Sequence, residues 1–125
     1  MIQQAFESDD PIIFYEPKRR YHEKGEVDLT ATSAPRPLFK ANVARVGEHV
    51  TLASYGPMVK VCLDAAAAAA EDGKSIEVID LRSLSPLDLD AVATSVEKTG
   101  RLVVAHEAST FLGIGAEIAA AISQR

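Results

Sequence analysis

From His49 to the last residue, short β-branched apolar runs alternate three times with segments of helical period, and glycine or proline marks most of the junctions. "HVTLASYG" (49–56) reads as a strand stopped at Gly56-Pro57. "PMVKVCLDAAAAAAEDG" (57–73) opens on proline and closes on glycine, as helices do. Within it Met58, Val61, Cys62 and Ala65 repeat at helical spacing, and the alanine run permits close approach to a sheet. "SIEVIDLRS" (75–83) is a second strand and "SPLDLDAVATSVEKTG" (85–100) a second helix. There Ser85 is the expected N-cap, Pro86 the first helical position, Asp88 the third, and Gly100 the stop. "RLVVAHEA" (101–108) and "GAEIAAAISQR" (115–125) are the third strand and helix. Parallel strands need crossovers of this length. The expected fold is therefore α/β: three layers, α/β/α, around a mostly parallel sheet. "ANVARVG" (41–47) adds an edge strand. The last helix meets no stop signal and three parallel strands make a small core, so the domain is expected to be truncated, a fragment lacking at least one strand.

Residues 1–40 differ in character. Ile12–Tyr15 is a short apolar run, expected as one strand. Pro17 and the charged "KRRYHEKGEVD" end it, and a linker containing Pro35 and Pro37 follows. The expected boundaries are 1–40 for the end of one domain plus linker, and 41–125 for a second domain.

Composition excludes several classes. A net charge of −5 opposes a nucleic-acid surface, and with no Trp a base-stacking platform is not expected. One cysteine, Cys62, allows neither an intrachain disulfide nor a cysteine zinc site, and reads as a buried thiol. No apolar run reaches a membrane span and no signal peptide is evident, so the expected location is cytoplasmic, with no membrane partner.

"HEASTFLGIGAE" (106–117) holds the strongest candidates for chemistry. His106 and Glu107 stand at the end of a parallel strand, where open α/β sheets bind ligands, and a histidine there is suited to proton transfer. Gly113 and Gly115 open a helix as a dinucleotide turn would, but the third glycine of that pattern is Ile118. Two readings stand beside each other: a ligand turn with a working histidine, or a sheet edge and subunit contact. Asp80 and Arg82, also at a strand end, are read as an ion pair fixing the next loop or bridging an interface. Lys18, Arg19 and Arg20 are a solvated segment or an anion contact. His22 and His49 have no metal-ligand spacing to each other or to His106.

Five stretches then fall into a recognisable order: "DPIIFYEPKRRY", "VTLASYGPMVKVCLDAA", "IEVIDLRSLSPLD", "VEKTGRLVVAHEA" and "GIGAEIAA". Together they resemble the beta chain of the first component of 2-oxo acid dehydrogenases. The closest likeness is to the branched-chain (2-oxoisovalerate) type, because Glu16-Pro17-Lys18 is typical of it. His22 stands where relatives often carry arginine. The resemblance implies that residues 41–125 are a transketolase C-terminal-like domain. Residues 1–40 would be the last strand of the preceding pyrimidine-binding domain plus a connector. The full enzyme implied is an α2β2 heterotetramer using thiamine diphosphate and magnesium. It decarboxylates a branched 2-oxo acid in branched-chain amino acid degradation and passes the acyl group to lipoyl-lysine. Its partners are the alpha chain, a second beta chain and the acyltransferase core. The resemblance puts the diphosphate and metal on the alpha chain and the activating glutamate earlier in the beta chain. It therefore implies no catalytic, cofactor-binding or metal residue in this stretch, which would bind no cofactor by itself and serve as an assembly domain. His106, Glu107, Gly113 and Gly115 are then interface candidates. The alternatives are a pyruvate-type beta chain and a free-standing nucleotide- or small-molecule-binding module.

Overall fold

The computed structural model describes residues 1–25 and 37–125, and the chain divides into two compact units, Met1–Leu38 and Phe39–Arg125. The expected linker prolines are split: Pro35 lies outside the described residues, whereas Pro37 lies within them.

Among its described residues the first unit carries a short helix, α1 (Ile2–Phe6), and a 3-10 turn at Lys18–Arg20. The strand expected over Ile12–Tyr15 does not form. A strand needs a ladder partner, none pairs with this run among the described residues, and Ile13 and Tyr15 stand in solvent. The neighbouring Glu16 carboxylate accepts the Tyr21 hydroxyl at 2.6 Å. That bond and the carboxylate's charge raise Tyr21 above the usual phenol range. Arg20 pairs with Glu23 at 2.7 Å.

The second unit is the expected alternation. Its elements are β1 (Asn42–Arg45), β2 (Val50–Ser54), α2 (Met58–Glu71), β3 (Ile76–Asp80), α3 (Leu89–Thr99), β4 (Leu102–Ala105) and α4 (Ile114–Ser123). The strand order is β1-β3-β2-β4. β2 pairs in parallel with both β3 and β4, and β1 closes the other side antiparallel, with an irregularity between Val43 and Arg45. Alternation along the strands divides the core in two. Leu52 and Val78 pack with Cys62 and Ala66 of α2. Ile79 and Leu81 pack with Val92 of α3 and Ile118 of α4. The sheet is thus covered on both faces, and the three layers are present.

Local details depart from the periodicity. The buried stripe of α2 runs through Cys62 and Ala66, while Val61 and Ala65 are exposed. The stripe is rotated by one residue because alanines on every side leave the period without contrast, and the sheet selects the face. α3 begins at Leu89 with Asp88, not Ser85, as its cap, and Pro86 lies before the helix after a cis peptide bond. Asp88 stands where a cap must: its carboxylate accepts the Ala91 N–H at 3.4 Å. Gly100 ends the helix as expected, left-handed at φ 69, its N–H bound to the Val96 carbonyl.

A polar seam joins the sheet to α3. Thr51, fully buried, shares hydrogen bonds with Ser95 (2.6 Å) and Thr99 (2.7 Å). Glu77, also buried, pairs with Lys98 and accepts the Gly47 N–H at 3.3 Å. Burial pushes the Glu77 carboxyl up. The bonds from Lys98, Ser95 and Gly47, with the Lys98 charge, outweigh that and hold it below the usual carboxylate value.

Candidate functional site

The chain steps outward from β2 to β3, then returns past β2 to reach β4. Strand order therefore reverses between β2 and β4, and their following helices, α2 and α4, lie on opposite faces. In open α/β sheets that crevice, at the carboxyl ends of the strands, is where ligands bind. Ser54 and Ala105 are paired neighbours at the ends of these two strands. The Ser54 hydroxyl donates to the Ala105 carbonyl at 2.8 Å. The next residue on each strand is Tyr55 and His106.

Those two rings occupy the crevice. They stack with centroids 6.2 Å apart and planes inclined by 20°. The glycine turn closes on the imidazole from the other side. A Cβ on Gly115 would collide with His106 Nε2 and stand 2.9 Å from Cδ2. One on Gly113 would strike the Ser109 carbonyl and stand 3.1 Å from His106 Cε1. Glycine is required at both positions because the chain's own histidine and loop take up the space. A pyrophosphate would need that approach left open. Gly113 is the N-cap of α4 and contributes no side chain to it.

His106 Nδ1 is buried and has no hydrogen-bond partner among the described residues. Beside the ring an open groove of about 490 Å³ runs between β4 and α4, lined mainly by Leu102, Val104, Ala116, Ala119 and Ile122, with Thr110 at the loop. Glu107 is exposed and does not line this groove. At the loop tip Phe111 and Leu112 are 81% and 87% exposed, and Leu112 sits left-handed at φ 56. Non-glycine residues avoid that region, and it concentrates at contact and ligand sites.

Of the residues singled out from sequence, the structure gathers His106, Gly113 and Gly115, and leaves Glu107 outside. Tyr55 was not foreseen. Its signal was positional: parallel neighbours in register place the residues after Ser54 and Ala105 side by side. Asp80 and Arg82 are together, but in another way than expected: Asp80 accepts the Arg82 backbone N–H at 3.1 Å, and the guanidinium donates to the Lys40 carbonyl at 3.0 Å. His49 Nδ1 accepts the Ser75 N–H.

Thiamine diphosphate with magnesium needs an anionic ligand set for the metal and an open cradle for the diphosphate. Among the described residues no three His, Cys, Asp or Glu side chains are placed to hold a metal ion, and His106 fills the glycine turn. The described residues do not fit the group, and no chemical step is assigned to them. No helix among them is long and apolar enough to cross a membrane.

Comparison with known proteins gives a consistent pattern. The family model described as "Transketolase, C-terminal domain" matches residues 39–125. The "Pyruvate dehydrogenase E1 component subunit beta" of Leifsonia xyli is 50% identical over 100% of this chain and 36% of its own. The "3-methyl-2-oxobutanoate dehydrogenase subunit beta" of Mycobacterium tuberculosis is 46% identical over 99% of this chain and 35% of its own. The chain thus spans about a third of the length of these relatives. A solved "Split gene transketolase, inactive beta4 tetramer" superposes with a TM-score of 0.69 at 28% identity, over 81% of this chain and 34% of that one.

Proposed function

The chain belongs to the transketolase C-terminal domain family, and on that premise we propose that it is the carboxyl-terminal part of the beta subunit of the first component of a 2-oxo acid dehydrogenase. The observation that carries this reading is that relatives bearing that name match the chain from end to end at 46% and 50% identity. Within such a subunit the second unit acts as a scaffold. Its ligand crevice is closed by Tyr55 and His106, and its exposed apolar residues, Phe111 and Leu112 among them, serve contacts with an alpha chain and a second beta chain. Thiamine diphosphate and magnesium belong, in this reading, to the assembled α2β2 enzyme, and lipoyl-lysine on an acyltransferase core is the acyl acceptor. A cytoplasmic location is part of the same proposal.

The finer proposal is a branched-chain substrate, supported by Glu16-Pro17-Lys18, whose glutamate orders its own segment through Tyr21. Pyruvate is the second reading, supported by the 50% identical relative. Acetoin is the third substrate to compare, because the "Acetoin:2,6-dichlorophenolindophenol oxidoreductase subunit beta" of Cupriavidus necator is 45% identical over 100% of this chain. The experiment is to co-express the whole subunit that carries this chain with its alpha chain. The kcat/KM is then compared for 3-methyl-2-oxobutanoate, pyruvate and acetoin. Preference for the branched acid supports the finer reading and preference for pyruvate the second. Turnover of acetoin alone rejects both.

A further inference from the structure

We propose that Asp88 and Arg82 form a clamp that fixes the direction in which the chain enters its second unit, at residues 39–41. Asp88 is 7% exposed and uses both carboxylate oxygens. Oδ1 meets the Lys40 ammonium at 3.3 Å and the Ala91 N–H at 3.4 Å, and Oδ2 accepts the Ala41 N–H at 3.1 Å. Capping α3 needs only one of these bonds. The other two reach back about half the sequence of the unit to its first residues. Burial raises the Asp88 carboxyl, and the bonds from Ala41, Lys40 and Ala91 with the Lys40 charge bring it below the usual value, so the group is held ionised.

Arg82 supplies the opposing jaw. Its guanidinium donates to the Lys40 carbonyl at 3.0 Å. Arg82 itself is left-handed at φ 59, and its N–H is bound by Asp80 Oδ1. Phe39, immediately before the clamped residue, is left-handed too, at φ 64. The Lys40–Ala41 peptide is thus gripped at its carbonyl, at its N–H and through the Lys40 side chain. A surface connection that only had to span a distance would need none of these, since connecting loops are ordinarily mobile. The arrangement holds the backbone at one heading. The inference rests on this geometry and is independent of the substrate reading.

Trypsin reports on the clamp. Lys40–Ala41 is a cleavable bond, whereas Arg36 precedes Pro37 and is resistant. The test is limited digestion of the 125-residue chain, with fragments timed by mass spectrometry, for wild type, D88N and R82N. Asparagine still caps a helix at 88 and tolerates the left-handed backbone at 82. Cleavage after Lys98, inside α3, serves as the internal reference for global opening. The expected result is that each variant raises the Lys40-to-Lys98 cleavage ratio at least fivefold over wild type. A smaller rise in either variant, or an equal rise after Lys98, overturns the clamp. If D88N fails to fold, R82N decides alone by the same criterion.

Discussion

Replacing Gly115 by alanine should change the sign of its effect on stability according to whether His106 is present. Gly115 lies in the first turn of α4. In an unobstructed helix, glycine to alanine gains up to about 1 kcal/mol, because the unfolded chain loses freedom and the helix prefers alanine. Here the new methyl would meet the imidazole, at 2.9 Å from Cδ2 and closer still to Nε2. The ring is not a loose side-chain end: Tyr55 stacks on it and Nδ1 is enclosed. Forcing a methyl into occupied space costs about 1–3 kcal/mol. The net expectation for G115A is a loss of up to about 2 kcal/mol once the helical gain is subtracted. In an H106A background the obstruction is gone and the same substitution should stabilise by up to about 1 kcal/mol. Urea denaturation of wild type, both single variants and the double variant completes the cycle. A coupling of about 1–3 kcal/mol is expected, equivalent to several degrees in Tm for a domain of this size. If G115A shifts stability equally in both backgrounds, the glycine is not there for the histidine, and the crevice is not closed by their contact.

Three further outcomes follow from packing and charge. Ala66 is fully buried against the sheet whereas Ala65 is exposed; A66L should lose about 1–3 kcal/mol and A65L less than about 0.5 kcal/mol in thermal melts. Thr51 bonds two hydroxyls inside the sheet–α3 layer; T51V removes both bonds, while Thr99 keeps the Arg101 carbonyl and Ser95 keeps Glu77, and should cost about 1–3 kcal/mol in urea denaturation. Glu77 is held below the usual carboxylate value, so it binds protons less readily folded than unfolded. Its contribution is present above the ordinary carboxylate pKa and is lost as pH falls through the lower folded value. Stability measured against pH should therefore drop on the acid side, and E77Q should flatten that limb; an unchanged acid limb would show that the Lys98 pair contributes nothing.

The layered α/β plan was legible because crossover length and glycine punctuation carry it locally. Gly100 illustrates this: its stop signal needed no knowledge of the rest of the fold. What escaped depends on partners distant in sequence. The rotated face of α2 is set by the sheet, since an alanine-rich helix has no apolar stripe of its own. Asp88 displaced Ser85 as cap while also binding Lys40 and Ala41, nearly fifty residues earlier. Ile12–Tyr15 has strand composition, but composition cannot supply a ladder partner. At the candidate site the sequence exposed His106 and both glycines as unusual. Their mutual contact, and Tyr55's place against the ring, follow only from the reversal of strand order between β2 and β4.

A scaffold domain whose ligand crevice is filled by its own side chains should leave the cofactor of the assembled enzyme unbound. Titration calorimetry of the 125-residue chain with thiamine diphosphate and magnesium reads this out. No saturable heat tighter than about millimolar is expected, a free energy of only ~4 kcal/mol. A micromolar site would refute the scaffold reading and return His106, Gly113 and Gly115 to the chemistry.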